Sequence, residues 1–163
     1  NQLKHYLYLN VILCTNMETS FKIIHNNNNK ELIDEITLSY EERFIRRKKL
    51  IANNGTEFFV NLDKTVSVDE NQFFELENGY LIKVVSKEEN LIEITGDNLK
   101  QIIWHIGNRH LPCQIEENRI LIQDDAVILD MILKLNGNVK KIIEKFKPEG
   151  GAYGMGRTHS HKH

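Results

Sequence analysis

Midway along the chain the spacing of apolar residues changes, and that change limits the folds open to it. Between residues 21 and 85 short apolar runs (FKII, IDEITL, FIRRKKLI, EFFV) are separated by turn signals, the pattern of half-buried strands. Residues 91–95 (LIEIT) read as one more strand. Then Leu99, Ile102, Ile103 and Ile106 fall at i, i+3, i+4 and i+7, one face of a helix. Strand spacing in one half and mixed spacing in the other make an α+β fold in two parts.

The first part is expected to be a small all-β domain over residues 17–78. Asn54-Gly55 and Asn78-Gly79 are its sharpest turn signals, the pairs favoured in type I′ hairpins with positive φ at both central residues. The asparagine tract 26–29 is a polar loop. In the second part, residues 79–148, Asp97 or Asn98 can cap the helix and Gly107 can stop it. Two apolar runs, 111–115 and 119–122, flank Glu116-Glu117-Asn118 as a hairpin. Asp124 or Asp125 then caps a second helix to about residue 135, closed by Asn136-Gly137. Val127, Ile128, Leu129, Met131 and Ile132 spread over most of its faces, so it is expected to be covered on more than one side. Residues 139–146 fit strand or helix. As a strand they complete β-α-β-β-α-β, a ferredoxin-like unit. After Pro148 come glycine, polar residues and histidine, a flexible tail over residues 149–163.

Composition removes whole classes. The 163 residues carry 21 basic and 23 acidic side chains for a net charge of −2, without the basic excess of a nucleic-acid binder. Two cysteines, Cys14 and Cys113, cannot build a disulfide scaffold. The apolar run 3–14 is too short for a bilayer. Lys4 before it imitates a signal peptide, but no small-residue cleavage site follows. Residues 1–16 are expected to be an upstream extension ahead of an alternative start at Met17; an added strand or an export signal is the competing reading. No phosphate-binding glycine loop and no nucleophile elbow occur, so no enzyme is expected.

Candidate chemistry concentrates in histidine. His105-Ile106-Gly107-Asn108-Arg109-His110 spans the expected helix end, where free carbonyls and a loop suit a functional side chain. His110 falls just past the helix, as a plain loop residue or with its imidazole facing solvent or a partner subunit. His105, between Trp104 and Ile106, reads as a packing histidine. His159, His161 and His163 form an H-x-H-x-H array. In an extended chain, residues two apart point the same way, so the three imidazoles can converge on one cation. Nickel, copper and zinc suit imidazole; a purification tag or an idle tail is the alternative. Arg43, Arg46, Arg47, Lys48 and Lys49 form a basic cluster for phosphates or an acidic protein, or simply a solvated strand face. Cys113 has no second cysteine at metal-ligand spacing and reads as a small buried residue. Asp124 and Asp125 read as a cap and a first-turn acid.

The run from His105 to Pro112 (HIGNRHLP), followed by Gln114-Ile115, resembles the HLGNRHxPxQI signature of the UreE family of urease accessory proteins. Pro148-Glu149-Gly150-Gly151-Ala152-Tyr153-Gly154, with a histidine-bearing tail, is similar to that family's C-terminal signature. Segments 43–47 and 55–62 (GTEFFVNL) resemble its N-terminal domain, so the likeness covers about residues 19–163.

The resemblance implies a cytoplasmic nickel metallochaperone, a homodimer of subunits with a β-rich N-terminal domain and a ferredoxin-like metal-binding domain. It implies His110 as the principal ligand, placed so that two subunits share one Ni²⁺. His159, His161 and His163 would complete the coordination, with His105, Asn108 and Arg109 in support. It further implies delivery to the urease apoprotein with the help of a GTPase accessory protein. The N-terminal domain becomes a docking surface, with Arg43, Arg46 and Arg47 as partner-binding candidates. Zn²⁺ and Cu²⁺ compete for the same nitrogens, so the alternative is a zinc-binding protein or a metal buffer not dedicated to urease. Asp124-Asp125-Ala126 stands where some family members carry an H-x-H pair, so those auxiliary positions are absent. A zinc hydrolase would want an acid between its histidines, as in H-E-x-x-H, and none lies between His105 and His110. An adaptor working through residues 43–49 would bind with a steep salt dependence.

Overall fold

A computed structural model describes residues 17–150; the expected extension 1–16 and the histidines His159, His161 and His163 lie outside them. Strands β1 (Glu18–Ile24), β2 (Leu32–Leu38), β3 (Phe44–Ile51), β4 (Glu57–Ser67), β5 (Phe73–Leu76) and β6 (Leu81–Ser86) form one sheet in the order β2-β6-β5-β1-β4-β3. β1 runs parallel to β4 and β2 to β6, while the other neighbours are antiparallel. β6 follows the Asn78-Gly79 turn and still pairs into this sheet, which therefore runs to Ser86. Phe58, Val60, Phe74, Ile82 and Val84 are buried along alternating positions and make its core.

Both asparagine-glycine turns form, but not as type I′. Gly55 and Gly79 carry positive φ (93° and 88°), and neither Asn54 nor Asn78 does. The N–H of Gly55 donates to Ala52 O at 3.0 Å while Ala52 N–H donates to Thr56 O at 2.9 Å. The same pair of bonds joins Gly79 to Leu76 and Leu76 to Tyr80. These are three-residue loops closed by a left-handed glycine, the arrangement next in preference to the two-residue hairpin. Buried Asp34 fixes the first of them, accepting from the Asn54 and Thr56 N–H groups at 3.2 and 3.3 Å. Burial works to raise the Asp34 pKa, and hydrogen bonds from Thr56, Glu35 and Asn54 override it, leaving the carboxyl below its ordinary value.

The second half is β7 (Glu88–Thr95), α1 (Leu99–Gly107), β8 (Gln114–Ile115), β9 (Ile120–Gln123), α2 (Ala126–Lys134) and β10 (Asn138–Lys145). Its four antiparallel strands stand in the order β10-β7-β9-β8. Residues 139–146 are strand along most of their length, paired with β7. β8 is shorter than the apolar run that announces it, because Pro112 has no N–H for a ladder. Asp125 caps α2, accepting from Val127 and Ile128 N–H at 2.8 and 3.0 Å. Asn98 precedes α1 without capping it; its Nδ2 instead donates to Leu135 O, tying the start of one helix to the end of the other. Ile102, Ile106, Ile128 and Ile132 pack on Ile92, Ile94, Ile120 and Ile122. Among the described residues the expected cover on several sides of α2 is not found, and Val127 and Leu133 are exposed.

Alternation gives the four-stranded sheet a second apolar face. Leu91 and Leu121 point there and close on Phe146 and Tyr40. Tyr40 meets Phe146 edge-on, with centroids 5.3 Å apart. Its backbone N–H donates to the Glu89 carboxylate at 2.7 Å. The two sheets therefore share the Phe146 contact, and the helices cover the opposite side.

Candidate metal site

The end of α1 builds the site from its backbone outward. Asn108 N–H donates to Trp104 O at 3.0 Å, the last regular helical bond, and Arg109 N–H donates to Ile106 O at 3.1 Å. Next, His110 N–H donates to Gly107 O at 2.9 Å and Leu111 N–H to Ile106 O at 3.4 Å. That crossed pair is a Schellman motif with the left-handed residue between its two donors. The left-handed residue is His110, at φ 54°, and not Gly107, the expected stop. Leu111 completes the motif by packing on the isoleucine core.

This geometry sets out the neighbouring candidates. Asn108, Arg109 and His110 are exposed and His105 is half-buried. Arg109 Nη1 donates to His105 O at 3.0 Å, satisfying a carbonyl that the helix end leaves free. The His105 ring meets Trp104 edge-on, with centroids 4.9 Å apart, in keeping with a packing role. Trp104 itself is 63% exposed. Among the described residues no three His, Cys, Asp or Glu side chains gather in a group able to hold a metal ion. An ion at His110 therefore requires ligands from outside the described residues or from a second chain.

The last described residues approach this same place. Lys147 N–H donates to Gln114 Oε1 at 2.8 Å, and Glu149 N–H donates to Cys113 O at 2.8 Å. The chain crosses beneath the sheet from β10, at one edge, to β8, at the other. It arrives three residues from His110. Cys113 is half-buried, and its thiol is pushed up by burial and by the Glu149 charge, so it is poorly prepared to act as a thiolate. Nothing in the sequence announces the Glu149–Cys113 bond, because the two residues stand far apart in the chain.

The basic cluster divides. Arg46 and Arg47 are exposed on β3, an edge strand of the six-stranded sheet, where cations also discourage edge-to-edge pairing. Arg47 Nε donates to Asn61 Oδ1 at 3.0 Å. Arg43 does not belong with them: it is 3% exposed. Its Nη2 donates to Phe146 O at 2.5 Å and its guanidinium carbon lies 5.7 Å from the Tyr40 ring centroid. Its position in the turn ahead of β3 drives it into the junction between the sheets, away from any partner on that edge.

Two family models match the chain: the N-terminal domain of the UreE urease accessory protein over residues 21–87, and its C-terminal domain over residues 89–163. A urease accessory protein UreE of Ruegeria pomeroyi is 51% identical over 133 residues, covering 82% of this chain and 89% of that protein. One from Rhodobacter capsulatus is 48% identical over 130 residues, covering 80% and 83%. One from Azorhizobium caulinodans is 40% identical over 141 residues, covering 81% and 68%.

Proposed function

The chain belongs to the UreE family of urease accessory proteins, accessory factors and not enzymes, and from that premise we propose that it binds Ni²⁺ and delivers it to the urease apoprotein. The observation that carries the proposal is His110, an exposed imidazole held in left-handed backbone at a helix end. Backbone of that kind is retained where the side chain is needed. In this reading His110 of each subunit of a homodimer contributes to one shared Ni²⁺. His159, His161 and His163 supply further imidazoles, while His105, Asn108 and Arg109 support the helix end.

Several features of the molecule favour this arrangement. The described chain ends beside Cys113, and eight residues separate Gly150 from His159. An extended chain of that length reaches at most about 30 Å, enough to return to His110. A half-complete site joined by ligands from a tail can load and release its cargo without unfolding, unlike a structural zinc site closed by four fixed ligands. Zn²⁺ and Cu²⁺ compete for the same ligands, so preference for nickel rests on availability and on the receiving partner. The β-α-β-β-α-β order and the strand order β10-β7-β9-β8 support reading the second part as a ferredoxin-like metal-binding domain. No described helix is long and apolar enough to cross a membrane; the cytoplasmic site of action proposed here follows from the urease accessory role. Arg46 and Arg47 on the edge strand remain the candidates for contact with urease or its GTPase accessory protein.

Equilibrium dialysis against Ni²⁺ tests the assignment. Wild type is compared with His110→Ala and with a full-length variant carrying His159→Ala, His161→Ala and His163→Ala. Loss of the tightest site in the first variant and weaker binding in the second are expected. Unchanged affinity in His110→Ala would sink the reading.

A further inference from the structure

We propose that the cavity at the junction of the two sheets binds a small carboxylate, with Arg43 as its anchor. The cavity measures about 270 Å³ and is lined by Tyr40, Arg43, Ser67, Asp69, Glu70 and Lys147. A single water needs only about 15 Å³ of such space, so a molecule of several heavy atoms has room. Asp69 and Lys147 are exposed and open the cavity to solvent, whereas Arg43 is 3% exposed. Such a ligand requires neither nickel nor His110.

Arg43 is a buried cation whose charge the described residues leave unbalanced. Burial of a charge is costly unless an opposite charge and hydrogen bonds meet it. Arg43 takes part in none of the ion pairs among the described residues. Its Nη2 donates to the neutral carbonyl of Phe146, and its Nε is buried with no acceptor. The Glu70 carboxylate, on the cavity wall, is already taken by Lys145 and, at 2.9 Å, by Lys147. Arg43, Lys145 and Lys147 thus stand against Asp69 and Glu70, an excess of one positive charge. One carboxylate balances that excess. Its two oxygens match the parallel N–H groups of a guanidinium, and the Ser67 hydroxyl adds a donor on the wall. A dianion would bring a second negative charge beside Asp69 and Glu70, where repulsion disfavours it. The favoured ligand class is therefore a small monocarboxylate.

Acetate is the probe that tests this. Isotope-labelled full-length protein is titrated with sodium acetate in place of sodium chloride at constant ionic strength. The nuclear magnetic resonance signals of the Arg43 Nε–H and the Ser67 amide are followed. A saturable shift is expected, half complete at about 1–10 mM, with weaker binding of inorganic phosphate. Arg43→Lys keeps the charge without the two-pronged geometry and is expected to weaken acetate binding by about tenfold or more, read at Ser67. Asp69→Asn removes a like charge from an exposed position and is expected to tighten binding about two- to fourfold. That second variant keeps the test alive should Arg43→Lys fail to fold. Shifts that grow linearly without saturating overturn the proposal, and so does phosphate binding more tightly than acetate. Unchanged affinity in a folded Arg43→Lys, or unchanged or weaker binding in Asp69→Asn, overturns it as well.

Discussion

His110 and Asn136 occupy the same position at the ends of the two helices. Their φ angles are 54° and 57°. His110 N–H donates to Gly107 O at 2.9 Å and Asn136 N–H donates to Leu133 O at 3.0 Å. In each case the next residue reaches back to an isoleucine carbonyl, Leu111 to Ile106 and Gly137 to Ile132. Asparagine is among the residues that tolerate left-handed backbone best after glycine, because its short polar side chain bonds locally. Backbone geometry thus accounts for Asn136, whereas an imidazole at the equivalent place calls for a role of its side chain.

His110→Asn separates those two demands. The fold should be kept and its stability unchanged or raised by about 0.5 kcal/mol, while the tight Ni²⁺ site is lost. Urea denaturation alongside dialysis reads both quantities. A clear loss of stability would show that the imidazole serves the fold.

Two glycines near these helix ends should respond to alanine with opposite signs. A Cβ on Gly137 would stand 2.7 Å from Ile132 Cγ2 and 2.9 Å from Ile102 Cδ1. Overpacking of this kind costs about 1–3 kcal/mol. A Cβ on Gly107 meets nothing within 4 Å, and this residue is helical, so Gly107→Ala should stabilise the chain by up to about 1 kcal/mol. Denaturation midpoints of the two variants should move in opposite directions from wild type.

The sequence made the helices legible because spacing and caps act locally. The periodic run from Leu99 to Ile106 and the cap at Asp125 suffice to locate both. The turns were half legible: asparagine-glycine marks a reversal, but loop length decides which residue becomes left-handed, and strand pairing across the sheet sets that length. Gly107 looked like the natural stop for α1, yet Leu111 packs on the core only if the chain reverses at His110. Arg43 is the plainest misreading, since a lone arginine ahead of four more cations looks solvated until Phe146, a hundred residues away, presents its carbonyl. The ion pairs of Glu70 with Lys145 and Lys147 are hidden for the same reason. Of the candidate site, the helix-end part was readable and its relation to the tail root was not.

The Glu70 carboxylate, in the loop between β4 and β5, pairs with Lys145 and Lys147, and this contact predicts a pH response of stability. Its folded pKa is lowered from 4.5 to about 2, through hydrogen bonds from Lys145 and then Lys147. A carboxyl that binds its proton less readily in the folded chain adds stability above about pH 4.5 and loses it as pH falls toward about 2. Solvent reaches both lysines, so the contribution at neutral pH is about 1 kcal/mol. Other carboxyls share the lowered direction, among them Glu42, Glu75 and Glu116. The informative quantity is therefore the stability difference between wild type and Glu70→Gln across a pH series. That difference should be constant from pH 7 to 5 and shrink below 4.5; growth in acid would reverse the assignment.

Trp104, the single tryptophan, tests the proposed homodimer. It is 63% exposed on α1, one turn before the residues that form the His110 reversal. Large exposed aromatics of this kind commonly become the buried anchors of interfaces. If two copies meet so that their His110 side chains share an ion, the outer face of α1 lies within that contact and Trp104 leaves water. Its emission should then move to shorter wavelength as protein concentration rises through the association range. Trp104→Ala should weaken association by about 2 kcal/mol or more with little effect on the stability of the isolated fold, a separation that sedimentation and denaturation together can read. Emission that stays at the solvent-exposed wavelength in a protein shown by sedimentation to be a dimer would place the interface elsewhere, and His110 would then need its remaining ligands from the tail alone.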